Sequence, residues 1–270
     1  MTYRPLKADV GIAGKCALVT GSIGGIGYAT VRALAGQGCR VMMNGLGDMA
    51  EIEQKRKGLA DEFRVKVGFN GADLADVRQI EELVRATERE LGPIEILVNN
   101  AVTRNFHPID EIPVDRWNYA LAVNLSAPFH LIRLTLPGMK SRQWGRIINI
   151  ASNLGLTGTV DRGDYVATKH GVVGLTRAVA LEGLPHRVTC NAICPGATLT
   201  PHAERQLRER MERSGKSREE TVKEFLAQRQ PSGRFVLPEQ VADSIVFLCS
   251  EAASEMTGSP ISIDGGWYAM

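Results

Sequence analysis

The sequence predicts a single α/β domain in which about seven strands form a doubly wound parallel sheet with helices on both faces. Short apolar segments alternate with amphipathic stretches along nearly all of the 270-residue chain, as is typical of βαβ units. A glycine-rich segment between the first strand and the first helix is a second indication. The length suits one domain covering residues 1–270, and we expect right-handed connections between its strands.

Each predicted strand is a short apolar segment, and each predicted helix is one of the amphipathic stretches between them. The strands are expected at Cys16–Thr20, Arg40–Asn44, Lys66–Phe69, Ile96–Asn99, Arg146–Ile150, Val188–Ile193 and Ile261–Ile263. The helices are expected at Ile26–Gln37, Met49–Phe63, Val77–Leu91, Arg116–Lys140, Tyr165–Leu184 and Glu239–Glu251. Asp76 and Asp115 suit helix N-caps, and Pro238 suits a first helical turn.

Residues 201–231 interrupt the alternation with two helix-like stretches, which Gly215 separates and Pro231 ends. The segment follows the sixth strand, and an insertion at the carboxyl end of a strand lies over the ligand crevice of such a sheet. We interpret it as a two-helix substrate lid, because mobile insertions often cover sites of this kind. A contact between subunits is the alternative.

The composition is that of an ordinary soluble protein, with 44% apolar residues, 23% charged residues and a net charge of +2. No block of Lys and Arg indicates nucleic-acid binding, and no apolar run approaches the length of a membrane span. Residues 1–13 lack the apolar core of a signal peptide. The five cysteines are odd in number and form no CxxC pair, which favours buried thiols in a reducing compartment. We therefore expect a cytoplasmic protein, and we predict no metal site.

The segment Thr20–Gly27 places three glycines between the first strand and the first helix. Gly21 permits a tight turn, Gly25 lets backbone N–H groups approach a pyrophosphate, and Gly27 lets helix and strand pack closely. The helix N-terminus then attracts the phosphate charge. These features predict a Rossmann-type dinucleotide site, and a glycine-rich turn without a ligand is the alternative.

The segment after the second strand bears on the choice between NAD and NADP. A 2′-phosphate calls for a basic residue there, and none occurs between Asn44 and Lys55. NAD is therefore the predicted cofactor. An acidic residue that would select the ribose hydroxyls is missing directly at the strand end. Either Asn44 at that end or Asp48, four residues later, is left to select them. Asn99 ends the fourth strand, where a structural role and a cofactor contact are equally open.

Tyr165 and Lys169 lie one helical turn apart, and Ser152 precedes the tyrosine by thirteen residues. A free tyrosine has a pKa of about 10, too high for an efficient base at neutral pH. The lysine charge and that of an oxidised nicotinamide would stabilise the tyrosinate. Tyr165 is then the predicted general base, and Ser152 the predicted donor to the substrate oxygen. For the pair alone, an ordinary helix start is the alternative.

As a set, these motifs resemble the short-chain dehydrogenase/reductase family over 15–267, nearly the whole chain. The residues that carry the resemblance are Thr20–Gly27, Asp73, Asn99–Ala101, Asn124, Ser152, Tyr165, Lys169, Pro195–Gly196 and Asp264–Gly266. Within the family the chain is similar to the NAD-dependent D-3-hydroxybutyrate dehydrogenases, which Gln206 and Trp267 also match. The resemblance implies hydride transfer between NAD and a secondary alcohol or ketone.

The resemblance also implies residue roles and an assembly. Asn124 would hold a water that relays protons to Lys169, although a role in a helix kink competes with this. The implied cofactor contacts are Gly21, Ile23, Gly25, Ile26, Gly27, Leu46, Asp73, Leu74, Asn100, Ala101, Tyr165, Lys169, Pro195, Gly196 and Thr200. A homotetramer is implied, in which the helix Arg116–Lys140 and the catalytic helix form the main dimer contact.

Departures from the family pattern lie around the substrate. Arg104, Leu154 and Arg162 stand where the subgroup has glutamine, histidine and lysine, whereas Gln206 persists. Two arginines beside the crevice predict an anionic substrate, because arginine binds carboxylates bidentately, and exposed surface arginines are the alternative. Leu154 and Trp267 would form apolar walls. We predict a small hydroxy acid such as 3-hydroxybutyrate, or a larger anionic analogue.

Two other functions stay open at this point. Reduction of a 3-oxoacyl thioester is the first, and the missing basic residue for NADP and the predicted lid argue against it. A nucleotide-sensing protein without turnover is the second. The intact Ser152, Tyr165 and Lys169 argue against it, whereas Val102, which stands in place of a family glycine, gives it slight support.

Overall fold

Seven parallel strands form the central sheet of the computed structural model, which describes residues 9–227 and 229–270. The strands are β1 (Cys16–Val19), β2 (Arg40–Asn44), β3 (Val67–Asn70), β4 (Ile94–Asn99), β5 (Gly145–Ile150), β6 (Val188–Pro195) and β7 (Pro260–Ile263). Their order across the sheet is β3-β2-β1-β4-β5-β6-β7. The order therefore reverses between β1 and β4, where ligands of such sheets bind outside the carboxyl ends of the strands. The predicted α/β fold class is confirmed.

Helices cover both faces of the sheet. They are α1 (Gly25–Gly36), α2 (Met49–Phe63), α3 (Val77–Leu91), α4 (Val114–Leu121), α5 (Ala127–Arg142), α6 (Gly163–Gly183), α7 (Pro201–Ser214), α8 (Arg218–Leu226) and α9 (Pro238–Cys249). One core cluster packs α1 and α9 against the face that carries Ala17 and Val19. A second packs α3, α5 and α6 against the face that carries Cys16 and Leu18. Since both faces are covered, β1 is apolar throughout.

The predicted strands, and all predicted helices but one, are confirmed with ends that shift by at most two residues. Asp76 accepts a hydrogen bond from the Arg78 backbone N–H at 2.9 Å, as an N-cap does, and Pro238 is the first residue of α9. The N-cap prediction for Asp115 is wrong. The helix begins at Val114, so the carboxylate of Asp115 lies within the first turn and there complements the helix dipole.

The exception is the predicted continuous helix Arg116–Lys140. A π-helical turn, Ala122–Ser126, separates α4 from α5, and the Ala127 N–H donates to the carbonyl oxygen of Ala122, five residues back. Pro128 follows at the start of α5 and has no N–H for the ordinary hydrogen bond. This missing donor accounts for the wider turn, which contains Asn124.

The insertion after β6 consists of α7 and α8. Gly215 ends α7 with a φ of +67°, and Ser217 and Glu220 form a capping box at the start of α8. Arg218 and Glu204 join the two helices through a bidentate ion pair at 2.7 and 2.8 Å. Residue 228 of the segment predicted as a lid, and residues 1–8 of the predicted domain, lie outside the described residues.

Within the described ranges, no helix combines the length and the apolar character needed to cross a membrane. The five cysteines are free thiols and all are buried, as predicted from the absence of a CxxC pair.

Candidate active site

A cavity of about 600 Å³ opens at the carboxyl ends of β4, β5 and β6. Thirteen predicted site residues line it: Ile26, Asn100, Arg104, Ser152, Leu154, Arg162, Tyr165, Lys169, Pro195, Gly196, Thr200, Gln206 and Trp267. The other predicted site residues lie outside the lining: Gly21, Ile23, Gly25, Gly27, Leu46, Asp73, Leu74, Ala101 and Asn124. The cavity thus brings the predicted catalytic residues Ser152, Tyr165 and Lys169 together with every predicted substrate residue.

The glycines of the first turn allow close backbone contacts at the start of α1. Gly21 has a φ of +59°, and a Cβ there would lie 2.7 Å from the Cα of Ala101. A Cβ on Gly27 would meet the Gly21 carbonyl oxygen and the side-chain amide of Asn100. Gly25, with a φ of +54°, is the first residue of α1. The open backbone at this helix N-terminus fits the pyrophosphate of a dinucleotide.

Thr20 and Asn100 hold the glycine turn against the end of β4. The Thr20 hydroxyl accepts hydrogen bonds from the backbone N–H groups of Asn100 and Ala101, at 3.0 and 3.1 Å. The Asn100 side chain donates to the carbonyl oxygens of Thr20 and Gly21, each at 2.9 Å. Asn99 instead donates to the Asn149 side chain at 2.8 Å in the core, which favours the structural role.

Both side chains considered for ribose selection are engaged elsewhere. Asn44 is buried and donates to two backbone carbonyl oxygens at 3.0 Å. Asp48 caps α2 and accepts a backbone N–H at 2.9 Å. Lys55, although distant from β2 in sequence, reaches back and donates to the Ile23 carbonyl oxygen in the glycine turn at 2.9 Å. Leu46 is exposed beside this turn, so the end of β2 offers a ribose little more than backbone groups.

Asp73 and Leu74 follow β3. The Asp73 carboxylate accepts a hydrogen bond from the backbone N–H of Ala75 at 2.9 Å, and the backbone N–H of Asp73 donates to the side-chain amide oxygen of Gln79 at 2.9 Å. Leu74 is buried. These hydrogen bonds therefore hold in place the turn that contains two of the implied cofactor contacts.

Tyr165 and Lys169 lie in the first turns of α6, and both are almost fully buried. The Lys169 Nζ lies 5.6 Å from the centroid of the Tyr165 ring and donates to the Ile150 carbonyl oxygen at 2.6 Å. Burial alone would raise the pKa of Tyr165, but the charges of Lys169, Arg104 and Arg162 lower it, as does a hydrogen bond with Ser152. The outcome is a tyrosine pKa below its ordinary value, which suits a general base.

Ser152 lies two residues after the end of β5, at the cavity wall. Its hydroxyl donates to the Asn153 Oδ1 at 3.0 Å and accepts the Leu154 backbone N–H at 3.1 Å. Asn153, which the sequence reasoning missed, is buried, lines the cavity and orients the serine hydroxyl. A polar pair directly after an apolar strand was the signal that could have identified it.

Asn124 lies in the π-helical turn behind the cavity. Its side-chain N–H groups donate to the Thr103 carbonyl oxygen at 3.0 Å and to the Thr168 hydroxyl at 3.4 Å, and its oxygen accepts the Thr103 N–H at 2.8 Å. The side chain thus joins the loop after β4 to α6. These contacts favour the structural role, and the predicted water relay stays a prediction.

Arg162 and Arg104 approach the ring of Tyr165. The guanidinium carbon of Arg162 lies 4.3 Å from the centroid of the Tyr165 ring, and that of Arg104 lies 5.8 Å from it. The Arg162 guanidinium carbon also lies 4.6 Å from the centroid of the Phe106 ring. The Nε of Arg162 is buried without a hydrogen-bond partner, and burial lowers its pKa. Neither arginine forms an ion pair within the described ranges. Arg162 is therefore no surface arginine, while Arg104 is exposed at the cavity rim.

Apolar groups complete the cavity. Leu154, Phe225, Phe235 and Trp267 line it together with Val102, which stands at the position of the family glycine. The valine side chain faces the cavity and leaves the contacts of the neighbouring Asn100 and Ala101 with the glycine turn intact.

Comparison with known proteins identifies the family. The family model for short chain dehydrogenases matches residues 15–211. The chain belongs to the short-chain dehydrogenase family. Members of this family use nicotinamide cofactors, so the glycine turn and the cavity beside it belong to a nicotinamide-dependent oxidoreductase.

Among curated relatives in this family, the chain is 44% identical to a D-beta-hydroxybutyrate dehydrogenase of Cupriavidus necator, over 95% of this chain and 98% of that protein. It is 40% identical to a D-beta-hydroxybutyrate dehydrogenase of Rhizobium meliloti, over 94% and 99%. Among solved structures it superposes on L-sorbose reductase of Gluconobacter frateurii, a complex with NADPH and L-sorbose, with a TM-score of 0.93 and 29% identity, over 97% of this chain and all of that one.

Proposed function

We propose that this protein catalyses reversible hydride transfer between NAD and the hydroxyl-bearing carbon of a small hydroxy acid such as 3-hydroxybutyrate. The observation that carries the substrate class is Arg162, whose guanidinium carbon lies 4.3 Å from the ring centroid of the tyrosine base. This arginine is half-buried, its Nε is buried without a hydrogen-bond partner, and it forms no ion pair within residues 9–227 and 229–270. A carboxylate is the group that such an arginine binds best. Two relatives named as D-beta-hydroxybutyrate dehydrogenases support the same class.

Each catalytic side chain has a proposed role. Tyr165 accepts the hydroxyl proton during oxidation and returns it during reduction. Lys169 keeps the pKa of Tyr165 low and binds the nicotinamide ribose. The Ser152 hydroxyl, whose proton is held by Asn153 Oδ1 before substrate binds, turns this proton to the substrate oxygen as negative charge develops. The hydride acceptor chemistry is supplied by the nicotinamide when it is bound.

The cofactor would be held by the glycine turn, by the loop after β4 and by residues 195–200 after β6. Backbone N–H groups at the start of α1 would bind the pyrophosphate. NAD is favoured over NADP, because the end of β2 carries no basic side chain and the ammonium of Lys55 is already bound to a backbone carbonyl in the glycine turn. The two-helix insertion would close over the bound substrate as a lid.

The proposed function predicts turnover of 3-hydroxybutyrate with NAD, at a kcat/KM at least about ten-fold above that with NADP, because a 2′-phosphate would find no basic partner. The measurement is formation of NADH or NADPH with a panel of hydroxy acids and matched uncharged secondary alcohols. Turnover of the uncharged alcohols alone would contradict the substrate class, and faster turnover with NADP would contradict the cofactor.

We assign the protein to the cytoplasm as a homotetramer. Buried free thiols support a reducing compartment. Phe129 on α5 and Leu181 on α6 are exposed apolar side chains on the two helices expected to form the dimer contact, with 47% and 70% of their surfaces accessible. Light scattering is expected to give a mass four times that of the chain, and Phe129→Asp to lower it. A monomeric wild-type protein would refute the assembly.

A further inference from the structure

A second pair of arginines lines the cavity from the two-helix insertion. Arg210 lies on α7 and Arg229 follows α8. Their guanidinium carbons lie 5.0 and 4.8 Å from the ring centroid of Phe225, which packs on Phe235 at a centroid distance of 5.5 Å. We call Arg210 and Arg229 the distal arginine pair. An aromatic ring holds a guanidinium in place but leaves its N–H groups free to bind an anion.

The distal arginine pair has no acidic partner within residues 9–227 and 229–270. Two acidic residues of the insertion pair with other cations. Glu204 forms the bidentate pair with Arg218, and Glu224 pairs with Lys216 at 2.6 Å. Two cations that pack on the same ring repel each other. The pKa of Arg229 is accordingly lowered, by burial first and also by the charge of Arg210. An anion bound beside them would remove this repulsion.

The distal arginine pair and the two arginines beside Tyr165 line the same cavity. The pKa of Arg162 is lowered by burial first and also by the charges of Arg104 and Arg229. The cavity of about 600 Å³ corresponds to about twenty water volumes at ~30 Å³ each. The nicotinamide end of the cofactor takes part of this volume, because predicted cofactor contacts such as Asn100 and Thr200 also line the cavity. Since all four arginines line the same cavity, a substrate longer than 3-hydroxybutyrate can reach both sets of arginines.

We propose that the distal arginine pair binds a second anionic group, so that the preferred substrates are hydroxy acids with a second carboxylate at the opposite end of the chain. This inference rests on the proposed hydroxy-acid oxidation and deepens it. The chemistry is unchanged: the hydroxyl proton goes to Tyr165, the hydride leaves the same carbon for NAD, and the product is an oxo dicarboxylate. One carboxylate lies at Arg162 and the other at the distal pair.

The test compares substrates of equal chain length that differ only at the far end: 3-hydroxyadipate with 3-hydroxyhexanoate, and 3-hydroxysuberate with 3-hydroxyoctanoate. We expect kcat/KM to be at least about ten-fold higher for the better dicarboxylate than for its partner, as a charge-assisted hydrogen bond allows. In an Arg210→Gln/Arg229→Gln double variant this ratio should fall to near unity. Arg208→Gln, on α7 outside the cavity lining, is the matched control and should retain the ratio.

Two results would overturn the inference: a wild-type ratio near unity for both pairs, or a high ratio that persists in the double variant. The second would mean that general attraction of anions, rather than the distal pair, sets the preference.

Failure of the proposed function is a separate outcome. If no hydroxy acid is oxidised, calorimetry with adipate and hexanoate in the presence of NAD still tests the site. Tighter binding of adipate that is lost in the double variant supports the distal arginine pair, and equal binding refutes it.

Discussion

Replacement of Tyr165 by phenylalanine is expected to lower kcat/KM for hydroxy-acid oxidation by about 10³-fold, while the Kd for NAD changes little. The variant removes the phenolic oxygen that takes the proton but keeps the ring that Arg162 contacts at 4.3 Å. The lost hydrogen bond with Ser152 costs only about 1 kcal/mol of folding free energy, so the variant should fold. Steady-state kinetics and NAD titration measure both quantities.

Tyr119→Phe is the matched control for this variant. Tyr119 lies on α4 with 40% of its surface exposed, outside the cavity lining, so its loss should leave kcat/KM at the wild-type level. If Tyr165→Phe keeps more than about a tenth of wild-type activity, another group is the base, because general base catalysis contributes at least ~10²-fold.

The pH profile provides a second readout of the same residue. The pKa of Tyr165 lies below its ordinary value in the folded protein, because three nearby positive charges outweigh the effect of burial. Only the tyrosinate can accept the proton. The kcat/KM for oxidation should therefore be highest above this pKa and should decrease as the pH falls through it. We expect the apparent pKa below the ordinary value of about 10. Reduction needs the protonated form and should show the opposite dependence, and Tyr165→Phe should lack this ionisation.

The sheet could be predicted closely because its strands are buried on both faces. An apolar run such as that of β1 is bounded by polar residues and glycines, which locate its ends within a residue or two. The break in the helix Arg116–Lys140 could not be predicted in the same way. Pro128 inside the predicted helix signals an interruption, but the form of this interruption, a π-helical turn at Ala122–Ser126, became evident only from the backbone.

The site was predictable where a residue acts through its own position in a motif. Tyr165, Lys169 and Ser152 converge as their spacing on α6 and after β5 predicted. Roles that depend on a partner distant in sequence were less accessible. Lys55 follows the end of β2 by eleven residues, yet its side chain reaches the glycine turn. Asn153 was missed because its role depends on the rotamer of its neighbour, Ser152.

The availability of Arg210 and Arg229 for a ligand could not be predicted from the sequence either. The sequence of the insertion is typical of a solvated helical segment of mixed charge. Nothing in it distinguishes Arg218, which pairs with Glu204, from Arg210 and Arg229, which do not. That distinction depends on how α7 and α8 pack, and it decides which charges remain for a ligand.

Replacement of Arg162 by leucine is expected to lower kcat/KM for 3-hydroxybutyrate by about 100-fold, mainly through KM. A bidentate arginine–carboxylate pair contains two charge-assisted hydrogen bonds of about 1.5 kcal/mol or more each, and 1.4 kcal/mol corresponds to ten-fold in kcat/KM. Leucine keeps apolar contact with Phe106 and Tyr165, so the cavity wall persists. Arg162→Lys keeps the charge without the bidentate geometry and should recover part of the loss.

An uncharged secondary alcohol separates substrate binding from tuning of the base. It has no carboxylate to lose, so Arg162→Leu should change its kcat/KM only through Tyr165, whose pKa should rise when a neighbouring positive charge is removed. At a pH well above that pKa, Arg162→Leu should therefore oxidise the neutral alcohol with nearly the kcat/KM of the wild type. Its kcat/KM for the hydroxy acid should still be lower by the full factor. Arg177→Leu, an exposed position farther along α6, should affect neither substrate. Equal losses for the acid and the alcohol at high pH would mean that Arg162 shapes the cavity without binding the carboxylate. A deficit confined to the acid would place the carboxylate at Arg162, next to the tyrosine that takes the proton.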